Sequence, residues 1–186
     1  MSQSPKHALL VIDVQNSFYH RDYWTDADFP VFQDKQLALI KSAQSAQIPV
    51  IGILHATPRS DTFAFRPESG LVALMDWLPA LDKVFTKSVH NALTDSGLLE
   101  YLRAQGITDL TISGIRTEQC CETTTRVASD LGFKVNFVTE ATLSFAMTHA
   151  DGTVYSADEI KKRTELVLAG RFARICTVAD VVQIWQ

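Results

Sequence analysis

The sequence predicts an α/β fold: a three-layer α/β/α sandwich, Rossmann-like, around a mostly parallel sheet of about six strands. Three observations carry this prediction. Short apolar runs alternate with segments of helical periodicity along the whole chain, the order that gives a parallel sheet covered by helices on both faces. Within the apolar runs, polar residues do not alternate with hydrophobic ones, as expected of strands buried on both sides. No internal repeat, low-complexity stretch or linker interrupts the order, so residues 1–186 read as a single domain.

The elements follow in order. Ala8-Leu9-Leu10-Val11-Ile12 is the first strand. Residues 33–47 form a helix with Leu37, Ile40 and Ala43 on its inner face, closed off before Pro49. Val50-Ile51-Gly52-Ile53-Leu54 is the second strand and Lys83-Val84-Phe85-Thr86 a short third. A helix over residues 98–105 ends near Gly106, and residues 110–113 form the fourth strand. Residues 117–131 are helical and stop at Gly132, a residue type suited to the position after a helix. Residues 134–138 form the fifth strand. A helix over 156–169 starts with a capping box, Ser156 with Glu159, and stops at Gly170. Residues 173–177 give the sixth strand and residues 178–185 a final helix. The long irregular stretches, residues 18–32 and 55–69, both follow strands and so emerge at the carboxyl end of the sheet, where ligands bind in such folds.

Composition narrows the function classes. The chain has 186 residues, 46% hydrophobic and 20% charged, with net charge −4. No basic patch dominates, which argues against a nucleic-acid partner. The first apolar run is too short for a signal peptide or a membrane span. Three cysteines, two of them adjacent, make no disulfide framework and suit a reducing cytoplasm.

Asp13 ends the first strand, Lys87 ends the third, and Cys120 follows the fourth in the first turn of a helix. In a parallel sheet these positions converge. The start of a helix carries unpaired N–H groups and partial positive charge, which favour thiolate over thiol and can hold an oxyanion. Cys120 then reads as the nucleophile, Asp13 as its base and later an acid, and Lys87 as the compensating charge. Alone, each residue has a duller explanation: a cysteine in the core, an Asp capping a loop, a solvated lysine. Cys121 reads as packing and Cys176 as core. His55, His90 and His149 read as structural or surface residues rather than as catalytic ones. Arg116 either binds a substrate carboxylate or pairs with Glu118 or Glu122 at a surface or subunit contact, the second reading being preferred.

Three motifs, Leu10-Val11-Ile12-Asp13-Val14-Gln15-Asn16-Ser17-Phe18, Phe85-Thr86-Lys87 and Gly114-Ile115-Arg116-Thr117-Glu118-Gln119-Cys120 with Thr124 and Ala128, resemble the isochorismatase-like cysteine hydrolases, which include nicotinamidases and carbamoylsarcosine-type amidases. The resemblance implies the catalytic set Asp13, Lys87 and Cys120. It also implies a cis peptide bond before Arg116, an oxyanion hole from the Arg116 and Cys120 N–H groups, and a homo-oligomer. Nicotinamidases of the family bind a metal through an Asp-x-His-type motif; His55-Ala56-Thr57 stands at that place here, so neither metal nor other cofactor is expected. The expected partner is a small-molecule substrate, in a pocket lined by Phe18, Trp24, His55 and Ile115. The expected reaction is hydrolysis of an amide or carbamoyl C–N bond through a thioester. The alternatives are isochorismatase-type or ester hydrolysis on the same scaffold, or a non-catalytic ligand-binding homologue.

Overall fold

The computed structural model describes residues 6–58 and 62–186. Its central feature is a six-stranded sheet, formed by β1 (His7–Ile12), β2 (Val50–His55), β3 (Lys83–Lys87), β4 (Asp109–Ile115), β5 (Lys134–Leu143) and β8 (Arg174–Ile175) in the spatial order β3-β2-β1-β4-β5-β8. Every pairing in it is parallel.

Side-chain alternation along the strands divides the interior into two cores. On β1, Ala8, Leu10 and Ile12 point to one face, where they meet Leu98 and Leu102 of α2 (Leu98–Ala104), Ala128 of α3 (Glu122–Asp130) and Leu168 of α4 (Ala157–Leu168). Leu9 and Val11 point to the other, against Phe32, Leu39, Ile40 and Ala43 of α1 (Phe29–Ser45) and Val181 of α5 (Val178–Ile184). A strand buried on both faces has no polar side to present, which is why β1 and β2 are so uniformly apolar. The result is the three-layer α/β/α sandwich predicted from the sequence. Among the described residues, no helix is long and apolar enough to cross a membrane.

Several boundaries differ from the expected ones. Helix α1 starts at Phe29 rather than at residue 33, with Pro30 in its first turn, where a missing N–H costs nothing. It ends at Ser45, and Gln47 takes a left-handed conformation. Strand β5 continues past residue 138 to Leu143 through an irregularity in its register with β4. A small antiparallel pair, β6 (Met147–Thr148) with β7 (Val154–Tyr155), occupies a stretch expected to be loop. The helix expected from residue 117 opens instead as one wide π-type turn over Thr117–Cys121 before α3 begins. Such turns recur at functional sites.

The site is fixed by how β1 meets β4. Gly114 pairs in register with Ile12 and has φ +123°, and a Cβ built there would lie 2.0 Å from the Ile12 carbonyl oxygen. Only glycine allows this approach. It draws the strand end carrying Asp13 against the one leading to Cys120. Asp13 itself has φ +52°, a left-handed conformation that Asp tolerates better than most residues.

Candidate active site

Four neighbouring strands deliver one residue each to the carboxyl end of the sheet: Lys87 from β3, His55 from β2, Asp13 just after β1, and Cys120 in the turn after β4. The sheet order reverses between β1 and β4, because β2 and β3 lie to one side of β1 and β4 and β5 to the other. Ligands bind in the crevice at such a switch point, and Asp13 and Cys120 stand on either side of it.

The Lys87 ammonium is the hub. It has three N–H bonds and no acceptor capacity. It donates to Asp13 Oδ2 at 2.8 Å, to His55 Nδ1 at 2.9 Å and to Cys120 Sγ at 3.4 Å. Asp13 and Lys87 are each about 1% exposed, Cys120 7%. Because the ammonium can only donate, Nδ1 of His55 is the acceptor, so its proton sits on Nε2 and is given to Thr57 Oγ1 at 2.6 Å. Thr57 in turn donates to the Ser88 carbonyl at 3.2 Å. Gln15 holds the two strand ends together. Its Oε1 accepts the His55 N–H at 2.7 Å, and its Nε2 donates to the His55 carbonyl and to Ser17 Oγ.

Burial alone would lower the Lys87 pKa, but the Asp13 carboxylate and the Cys120 sulfur more than reverse this and hold it above the usual lysine range. His55 is pushed down, first by burial and then by Lys87, and stays neutral. Burial and the Asp13 charge push Cys120 well above the usual thiol range, despite Lys87. The expectation that the start of the helix favours a thiolate is therefore corrected. Burial beside a carboxylate favours the thiol form and outweighs the weak partial charge of one turn. Asp13 Oδ1 is buried without a hydrogen-bond partner, which leaves an acceptor beside that thiol. The other two cysteines are buried as expected, and all three are free.

The peptide bond between Ile115 and Arg116 is cis. The Arg116 guanidinium pairs with Glu118 at 2.9 Å and lies 4.7 Å from the Tyr23 ring centre. This is one of the two expected pairings, and it lies away from the open surface, since Arg116 is buried and the Glu118 side chain nearly so. Glu122 is engaged elsewhere, by Arg126, Arg163 and Thr164.

A cavity of about 180 Å³ opens onto Cys120. Phe18 and His55 line it. Trp24 and Ile115 do not line it. Ile115 is wholly buried in the core, and Trp24 packs on Tyr19, Phe29 and Phe145 while its indole N–H reaches Asp26. Tyr23, from the aromatic cluster after Asp13, also lines the cavity, and the lining residues not singled out for the pocket in the sequence are Arg21, Thr62, Phe65, His90 and Gln119.

An Asp13 oxygen, a His55 ring nitrogen and Cys120 Sγ lie within 4.8 Å of one another, a donor set that metals use. Here they do not fit a metal. The Lys87 ammonium already sits among them and donates to all three residues, and a second cation would be repelled at that distance.

Known proteins resemble this chain over most of its length. The profile of the Isochorismatase domain matches residues 7–180. The isochorismatase family protein YrdC of Bacillus subtilis is 27% identical over 95% of both chains. Nicotinamidase 3 of Arabidopsis thaliana is 29% identical over 86% of this chain and 88% of its own. A structure from Burkholderia xenovorans assigned to the isochorismatases superposes with a TM-score of 0.88 at 28% identity, covering 99% of this chain and 89% of the other.

Proposed function

The chain belongs to the isochorismatase family of hydrolases, and from that premise we propose that it cleaves the C–N bond of a small amide or carbamoyl compound through a thioester on Cys120. The observation that carries this reading is the saturation of Lys87 by Asp13, His55 and Cys120 at the mouth of a small cavity. The nicotinamidase relative supports a C–N bond as the target.

In the proposed sequence the Cys120 thiol gives its proton to Asp13 as sulfur bonds to the substrate carbonyl carbon. The N–H groups of Arg116 and Cys120 hold the resulting oxyanion. Its collapse breaks the C–N bond, and the leaving nitrogen takes the proton from Asp13. Water then attacks the thioester, Asp13 accepts a proton from it, and the acid departs as the thiol is restored. Lys87 offsets the negative charge on Asp13 and sulfur throughout, and neutral His55 fixes the direction of its third N–H. No step uses a metal.

The test is ammonia or acid release from a panel of primary amides, carbamoyl compounds and esters, run with and without a chelator. The expected result is turnover of at least one amide or carbamoyl compound, at a rate unaffected by the chelator. Turnover of esters alone, or activity lost to the chelator and restored by zinc, would contradict the reading.

A further inference from the structure

The cavity beside Cys120 contains a cation that the proposed chemistry does not use. Arg21 lines it together with Phe18, Tyr23 and Phe65. The Lys87 charge is balanced by Asp13 at 2.8 Å, and His55 is held neutral. Among the described residues, no carboxylate forms an ion pair with Arg21. Its Nε is buried without an acceptor. The side chain is nevertheless held in place. Nη1 donates to Thr62 Oγ1, and the guanidinium lies 5.0 Å from the Tyr23 ring centre. Arg116, which lies over the same Tyr23 ring, is committed to Glu118.

A half-buried guanidinium that lacks a counter-charge is costly unless an anion completes it. A guanidinium also matches a carboxylate in plane and in spacing, with two parallel N–H···O bonds. We propose that Arg21 is the specificity residue of this site and that the substrate is a small amide carrying a carboxylate. The proposal rests on the reading of Cys120 as an amide-cleaving nucleophile. The amide end lies at Cys120, the carboxylate end at Arg21, and the aromatic walls cover the short chain between them. A cavity of about 180 Å³ suits a short chain.

The experiment compares neutral butanamide with malonamate, succinamate and glutaramate by ammonia release, in the wild type, Arg21→Met and Arg21→Lys. The wild type should prefer one of the carboxylates over butanamide. Arg21→Met should lower kcat/KM for that carboxylate about 10- to 100-fold, mainly through KM, so that the preference collapses, while Arg21→Lys keeps part of it. Calorimetry on Cys120→Ala, with and without Arg21→Met, reads binding without turnover. If the carboxylate binds only when Arg21 is present but the wild type releases no ammonia, the subsite stands and the hydrolase reading fails. The proposal is overturned by a wild-type preference for butanamide, by equal losses on neutral and anionic amides in Arg21→Met, or by carboxylate binding that does not depend on Arg21. Thermal melting of both Arg21 variants identifies a folding defect, in which case Arg21→Lys alone decides.

Discussion

Cys120→Ala should lower turnover by on the order of 10⁴-fold or more, the scale on which losses of a covalent nucleophile fall. Among the described residues no other side chain in the cavity offers a comparable nucleophile; the hydroxyl groups among them lie on Tyr23 and Thr62. Cys120→Ser should be nearly as inactive, because a serine hydroxyl is far less acidic than a thiol and a carboxylate is a weak base for it. Cys121→Ala should keep most activity and lose about 1 kcal/mol of stability, since Cys121 is wholly buried in the core under the same turn. Steady-state rates on any substrate from the panel decide this. An inactive Cys121→Ala beside an active Cys120→Ala would move the nucleophile by one residue.

The second large effect concerns the buried ion pair. Asp13 and Lys87 meet at 2.8 Å with almost no exposure. Removing one partner leaves an uncompensated buried charge, so Asp13→Asn or Lys87→Met should each cost about 3–5 kcal/mol of stability. Each should also remove activity to nearly the extent of Cys120→Ala. The double variant Asp13→Asn with Lys87→Met leaves no charge behind, so it should be more stable than the two single costs predict when added. Its activity should stay lost. Denaturant unfolding and steady-state rates on the same four proteins check both parts. Recovered activity in the double variant would mean that the pair serves folding and not the reaction.

Much of the fold was legible because a parallel sheet buried on both faces writes itself as uninterrupted apolar runs, as β1 and β2 do. The start of α1 was less clear. Phe29 and Pro30 read as loop, although Pro in a first turn is itself a helix-start signal. The β6–β7 pair carries a turn signal, the Asp151-Gly152 dipeptide, but two-residue strands give no periodicity to confirm it. At the site, the strand-end positions of Asp13, Lys87 and Cys120 followed from the order of elements. The protonation of Cys120 did not, because it depends on burial and on a carboxylate 107 residues away in the chain. Arg21 was missed for a similar reason. A lone arginine in an irregular segment looks like a surface residue until the cavity around it is seen. Trp24 has the aromatic character of a pocket residue, yet it packs on Tyr19, Phe29 and Phe145.

The central claim is that Cys120 carries the substrate's acyl group, and mass spectrometry of acid-quenched turnover tests it most directly. With the amide that the panel turns over fastest, the wild type should show the acyl mass on the peptide containing Cys120. The adduct should be labile to hydroxylamine, as a thioester is, and absent from Cys120→Ala. An acyl mass on a different peptide, or a Cys120→Ala protein that turns over at the wild-type rate, would contradict the account.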